Sequence, residues 1–210
     1  GIAQTPSNEL EPLLVGSLQD GLSPEELVAA VSLVSAARLA DTTFDASDPS
    51  APVAALHACT GANAVRRCLE RARDAPLRYE LALCATRSPN ARRLAPVAEL
   101  SVPPSDGGAL EDLLASLVDG DPDGAADAAS AIPPDDAEGT ATAWRAVAAA
   151  AVTDQWMLLH ATKLVVAMHE DFEHSTHPAR IWFLAAAARV AAHASMFDQP
   201  LAAILPTRSG

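Results

Sequence analysis

The stretch LSPEELVAAVSLVSAARLA, residues 22–40, decides the fold class. Ser23 stands where a helix N-cap is needed, Pro24 supplies the fixed φ of a first helical turn, and Glu26 is placed to reach back and close a capping box. Behind that cap runs an Ala/Leu/Val-rich segment with no further proline and no glycine, so it reads as a helix. Much of the chain is written the same way. Half of its 210 residues are apolar, yet it has only four Phe and one Tyr, and its sixteen prolines suit stiff joints between helices better than strands. An all-α fold is expected, and the length suffices for one compact domain with a real core.

The same helix belongs to a duplicated message. LEPLLVGSLQDGLSPEELVAA at 10–30 is answered by LEDLLASLVDGDPDGAADAA at 110–129, sharing LE-x-LL and SL-x-DG. LHACTGANAVRRCLE at 56–70 faces LHATKLVVAMHEDFE at 159–173, and PLRYELALCA at 76–85 faces PARIWFLAAA at 178–187. Three matches in order and near register predict an internally duplicated helical bundle with pseudo-two-fold repeats, one over 1–103 and one over 104–210. SVPPSDGG at 101–108 is the natural boundary, because proline and glycine stop regular structure there. Within the first copy, 41–51 reads as a polar connector, Pro52 opens a second helix and Pro76 a third. In the second copy AIPPDDAEGT is an inserted loop. The long run after it, ATAWRAVAAAAVTDQWMLLHATKLVVAMHEDFEHS, is expected to break near Thr153 and Asp154.

Charge excludes one class of partner. With 14 basic and 27 acidic residues the net charge is −13, which offers no basic face for nucleic acid. No apolar run approaches the roughly 20 residues that span a bilayer, and the first residues lack the basic and apolar segments of a signal peptide. Cys59, Cys68 and Cys84 are odd in number and form no CxxC. They read as buried thiols in a reducing compartment, and a cytoplasmic location is expected.

Residues 158–177, LLHATKLVVAMHEDFEHSTH, gather four of the six histidines, the only lysine and three carboxylates. At about 100° per residue, Trp156, His160, Lys163, Ala167, Glu170, Asp171 and His174 share a sector, while Leu158, Val165 and Phe172 point away. The repeat register sets His57, Thr60, Ala64, Arg67, Cys68 and Arg71 opposite this stripe. His57 is thereby expected to meet His160, with small Ala64 and Ala167 letting the helices approach. Two chemistries fit. Glu170, Asp171 and His174 are candidate ligands for a transition metal such as iron, and His57 and His160 are candidate catalytic groups. His160 and His174 lie about 21 Å apart along a straight helix, so they serve different sites. The other reading is a seam of ion pairs in which Arg67 and Arg71 meet Glu170 and Asp171. His169, Glu173 and His177 would then simply end a helix, where cations suit its dipole. HExxH and Glu-x-x-His pairs are absent, as are a nucleophile elbow, a P-loop and a dinucleotide fingerprint. PPDDAEG at 133–139 reads as a solvated loop.

GLSPEELVAAVSLVSAARL, LHACTGANAVRRCLE and LHATKLVVAMHEDFE resemble the helical region that accompanies the iron–sulfur module in some bacterial Rieske-type proteins. The likeness spans most of the chain and implies a redox or oxygenase association. A Rieske centre needs two Cys-x-His pairs, whereas this chain has only the reversed His57-x-Cys59, so the resemblance implies a cluster housed elsewhere or absent and carries over no residue. The expected function is an enzyme acting on a small molecule at a histidine/carboxylate site between the two repeats, in one form a non-haem metal-dependent oxidoreductase, with Trp156 and Trp182 as candidate pocket walls. The alternative is a non-catalytic helical binding or assembly module.

Overall fold

A computed structural model describes residues 7–45, 47–48, 52–87, 100, 104, 107–153 and 159–197. Every regular element among them is helical: α1 (Ser7–Gln19), α2 (Pro24–Ala40), α3 (Val53–Leu69), α4 (Ala75–Arg87), α5 (Ala109–Asp119), α6 (Pro122–Ser130), α7 (Ala137–Ala151), α8 (His160–His174) and α9 (Ile181–Ser195). None of the described helices is long and apolar enough to cross a membrane.

Local chemistry sets the starts and stops. Ser23 accepts from the Glu26 amide while the Glu26 carboxylate takes the Ser23 amide at 2.9 Å, completing the capping box of α2. Gly120 ends α5 in the left-handed region, at φ 65°, and Asp121 with Pro122 starts α6 at once. Asp136 caps α7. Of the expected AIPPDDAEGT loop only the part through Asp136 is a loop; Ala137–Thr140 already form the first turn of α7, because the Asp136 cap starts the helix there, and Asp135 pairs with Arg180 at 2.7 Å. The predicted break also occurs: α7 stops at Ala151 and α8 begins at His160.

One helix organises the rest. The α9 sequence IWFLAAAARVAAHAS is apolar around its whole circumference, so it can only sit inside, and it packs on α2, α5, α6, α7 and α8. Its two buried polar residues, Arg189 and His193, have partners. Arg189 donates to the carbonyls of Ala40 at 2.5 Å and Thr42 at 2.9 Å and pairs with Asp123. A guanidinium there closes the C-terminus of α2, where the helix dipole favours a cation. His193 Nε2 contacts the Asp48 carbonyl at 3.1 Å between the rings of Phe44 and Phe197.

The main core draws on both halves of the chain, with Leu33, Leu39 and Leu56 joining Trp144, Leu164 and Phe183. A smaller core of Leu14, Leu27, Val31 and Leu69 lies under α1 and α4. The paired helices of the expected repeat are not equally placed. While α9 is central, its sequence counterpart α4 is peripheral, with Leu77 and Tyr79 exposed. Of the cysteines expected to be buried, Cys59 is; Cys68 and Cys84 are exposed.

Candidate functional site

Helices α3 and α8 lie side by side and parallel, in contact from end to end. At their N-termini the His57 and His160 rings meet edge to face, centroids 5.3 Å apart. In the middle Asn63 Nδ2 donates to the Ala167 carbonyl at 3.1 Å. Toward the C-termini Arg67 pairs with Glu170, and His174 Nε2 lies 3.8 Å from Glu70. Most partners across this seam are 103 to 105 residues apart in the chain, close to the spacing of the two LHA motifs; Asn63 departs from it by also reaching Glu170 and Asp171, 107 and 108 residues away.

The histidine pair is one end of the seam. Burial, with Lys163 and His160 adjoining, pushes the His57 pKa below its ordinary value. Close approach at the middle comes from Asn63 bonding the Ala167 backbone; the expected partner Ala64 is exposed.

The other end is the richer one. Asp171, 3% exposed, is a hub for three helices. Its Oδ1 accepts from Arg66 Nε at 2.7 Å and Asn63 Nδ2 at 2.9 Å, both on α3, and its Oδ2 accepts from the Ser32 hydroxyl on α2. Arg66 also reaches Glu70 at 2.5 Å and Glu170 at 3.6 Å. Arg67, its hydrogen-bonded partner, holds the Glu170 carboxyl below the usual carboxylate range. The expected ion-paired seam thus forms with Arg66 where Arg71 was expected. Asp171 points inward between α2 and α3, while Arg71 lies past the end of α3 and is exposed.

Beside this hub opens a cleft of about 460 Å³, within the size range of small-molecule sites. Ala29, Leu69 and Phe183 give it apolar walls from α2, α3 and α9. Asp171, Arg66 and Ser32 lie at its floor, and Glu25, Glu70, Arg78 and His174 at its rim. His174 Nδ1 is 2.8 Å from the Glu170 carbonyl. A carbonyl only accepts, so Nδ1 is the donor there, and Nε2 is left toward Glu70 on the cleft side.

Of the residues singled out in the sequence, Asp171 and His174 line this cleft, and Glu170 stands beside it in the seam. His57 and His160 do not line it, being at the opposite end of α8. Trp182 is half-buried against the main core and Trp156 lies outside the described residues. Ser32, Asn63, Arg66 and Phe183 escaped the sequence reading. The signal for Ser32 was available: Ser32, Ser35 and Arg38 recur every three residues along an otherwise apolar helix, and all three are buried.

The donor set fits guanidinium better than a metal ion. Both carboxylates of the expected ligand set are already neutralised by Arg66 and Arg67, and among the described residues no three His, Cys, Asp or Glu side chains converge to hold an ion. No step is therefore built on a metal. No protein-family model, no curated protein and no solved structure matches the chain, so its chemistry has to be read from these residues alone.

Proposed function

We propose that the chain is a small-molecule enzyme whose site is the cleft between α2, α3, α4, α8 and α9. The observation that carries this reading is the placement, in one cleft, of a buried carboxylate fixed by three donors and an imidazole whose tautomer is fixed by a backbone carbonyl. Asp171 is locked by Ser32, Asn63 and Arg66. It is an anchor that orients a substrate, since its charge is spent on Arg66. His174 is the proton carrier: Nδ1 is committed to the Glu170 carbonyl, and Nε2 takes a proton from the bound molecule or returns one. Glu70, 3.8 Å from Nε2, stabilises the imidazolium formed in that step.

In the same proposal the two halves are pseudo-two-fold mates about the α3/α8 seam. The constant offset of paired residues and the meeting of His57 with His160 support it, with α9 and α4 having since diverged. The Rieske-type resemblance adds a redox partner only if the cleft's substrate is one that such a partner oxidises, and no residue of the cleft points to that.

The test has two arms. A fragment screen is read through the His174 imidazole ¹H–¹³C signals; hits should shift them, leave His57 and His160 unmoved, and vanish when Ala29→Trp fills the cleft. Metabolite extracts incubated with the protein are then profiled by mass spectrometry. Turnover of a species by the native chain, lost in His174→Gln with binding kept, supports the enzyme. Binding unaffected by His174→Gln with no turnover assigns the chain to the binding modules instead. Hits that ignore Ala29→Trp remove the cleft from consideration.

A further inference from the structure

The charges around the cleft say what kind of molecule it accepts, given the reading that it is the ligand site. Three guanidiniums, those of Arg66, Arg67 and Arg78, stand against four carboxylates, those of Glu25, Glu70, Glu170 and Asp171. One negative charge is in excess. The guanidinium N–H groups are also spent inward: Arg66 Nε, Nη1 and Nη2 each face a carboxylate. Arg78 gives Nη1 to the carbonyls of Leu69 and Ala72, at 3.2 and 2.8 Å, and Nη2 to Glu25. At Arg66 and Arg78, the two guanidiniums that line the cleft, an incoming phosphate or carboxylate would find the donors already facing protein acceptors and would meet a negative field. The acceptors are in the opposite state. Glu70 uses only Oε1 for Arg66 and His174 among the described residues, and Asp171 Oδ2 takes the Ser32 hydroxyl. Leu69 and Phe183 give the cleft its apolar lining, against which hydrocarbon packs.

We infer that the cleft takes a monocationic organic amine with an apolar body, its ammonium placed between Glu70 and His174 and its hydrocarbon on Leu69 and Phe183. Donors in excess on the ligand match acceptors in excess on the protein, and its charge cancels the surplus carboxylate.

A matched trio of probes tests this on the full chain at neutral pH: 2-naphthylmethylamine, 2-naphthylmethanol and 2-naphthoate, titrated while His174 imidazole signals are followed. The amine should bind at least about tenfold tighter than the alcohol, which corresponds to about 1.4 kcal/mol, and the naphthoate more weakly than either. Glu70→Gln should erase most of that preference, and Ala29→Trp should abolish binding of all three. Equal affinities, or tighter binding of the alcohol or the acid, with His174 still responding, overturn the amine assignment and leave the cleft standing. If no probe moves the His174 signals, the assignment and the cleft reading fall together.

Discussion

Replacing Asp171 examines the hub on which both the seam and the cleft depend. The carboxylate is 3% exposed and joins α8 to Ser32 on α2 and to Asn63 and Arg66 on α3. In Asp171→Asn the shape is kept and the charge lost. The amide oxygen turns toward Asn63 and Arg66, its NH₂ toward Ser32, and the Ser32 hydroxyl rotates to accept. What disappears is the charge assistance, so each bond falls from about 1.5–3 kcal/mol to about 1. Arg66 keeps Glu70 at 2.5 Å, which softens the loss, and the expected cost is about 2 kcal/mol. In Asp171→Ala three donors lose their acceptor inside the fold. A buried charge pair broken from one side costs about 3–5 kcal/mol. The lower half of that range applies, because Arg66 is 16% exposed and still partnered.

Urea unfolding followed by far-UV circular dichroism at neutral pH separates the two variants. In thermal scans, at roughly 2–4 °C per kcal/mol for a chain of this size, melting should fall by about 4–8 °C in the asparagine variant and about 6–16 °C in the alanine variant. A double-mutant cycle with Arg66→Met should return a coupling of about 1 kcal/mol or more. Equal effects of Asn and Ala, or an alanine variant within about 0.5 kcal/mol of the native chain, would show that the hub is not built as described, and would remove the anchor from the proposed site.

Three further outcomes follow from features away from the cleft. Burial pushes the His193 pKa below 6.5, the Asp48 carbonyl offsetting part of the effect, so the folded state binds that proton less readily than the unfolded chain. Stability should be full above about pH 6.5 and decline as pH falls through that value toward the folded pKa; His193→Gln should flatten the decline measured between about pH 7.5 and about pH 5.5, leaving the part due to His57, which is shifted the same way. Gly120→Ala should destabilise by about 1–3 kcal/mol in the same urea assay, because the residue sits at φ 65° and an added Cβ would lie 2.9 Å from Met196 Cγ and 3.2 Å from its backbone. Arg189→Leu should cost about 3 kcal/mol, since it uncovers the carbonyls of Ala40 and Thr42 at the end of α2, and amide exchange should accelerate first in the last turn of that helix.

What the sequence made legible is what acts over short range or repeats. The α2 start was readable because Ser23, Pro24 and Glu26 satisfy orphan amides without help from elsewhere. The meeting of His57 and His160 was readable because two LHA motifs at a fixed offset mark the same turn of two helices. Asp171 was the harder case. Helical periodicity assigned it to the polar stripe with Glu170, and one residue of rotation is about 100°, enough to carry a side chain from a helix–helix groove to the space where a third helix arrives. That third helix, α2, comes from a part of the chain 139 residues away, and nothing in the α8 sequence announces it. The same gap explains why a metal set stayed in play beside the guanidinium seam. Glu170, Asp171 and His174 are the residues either would use, and the choice is made by Arg66 and Arg67 on α3. The contrast between α4 and α9 runs the other way. PLRYELALCA and PARIWFLAAA share a register, yet the first carries Arg78, Tyr79 and Glu80 where the second carries Arg180, Ile181 and Trp182. A helix polar in its first turns goes to the surface and one apolar all round goes to the centre. That difference puts α9 rather than α4 against the Asp171 hub, and Phe183 of α9 supplies the wall of the cleft there.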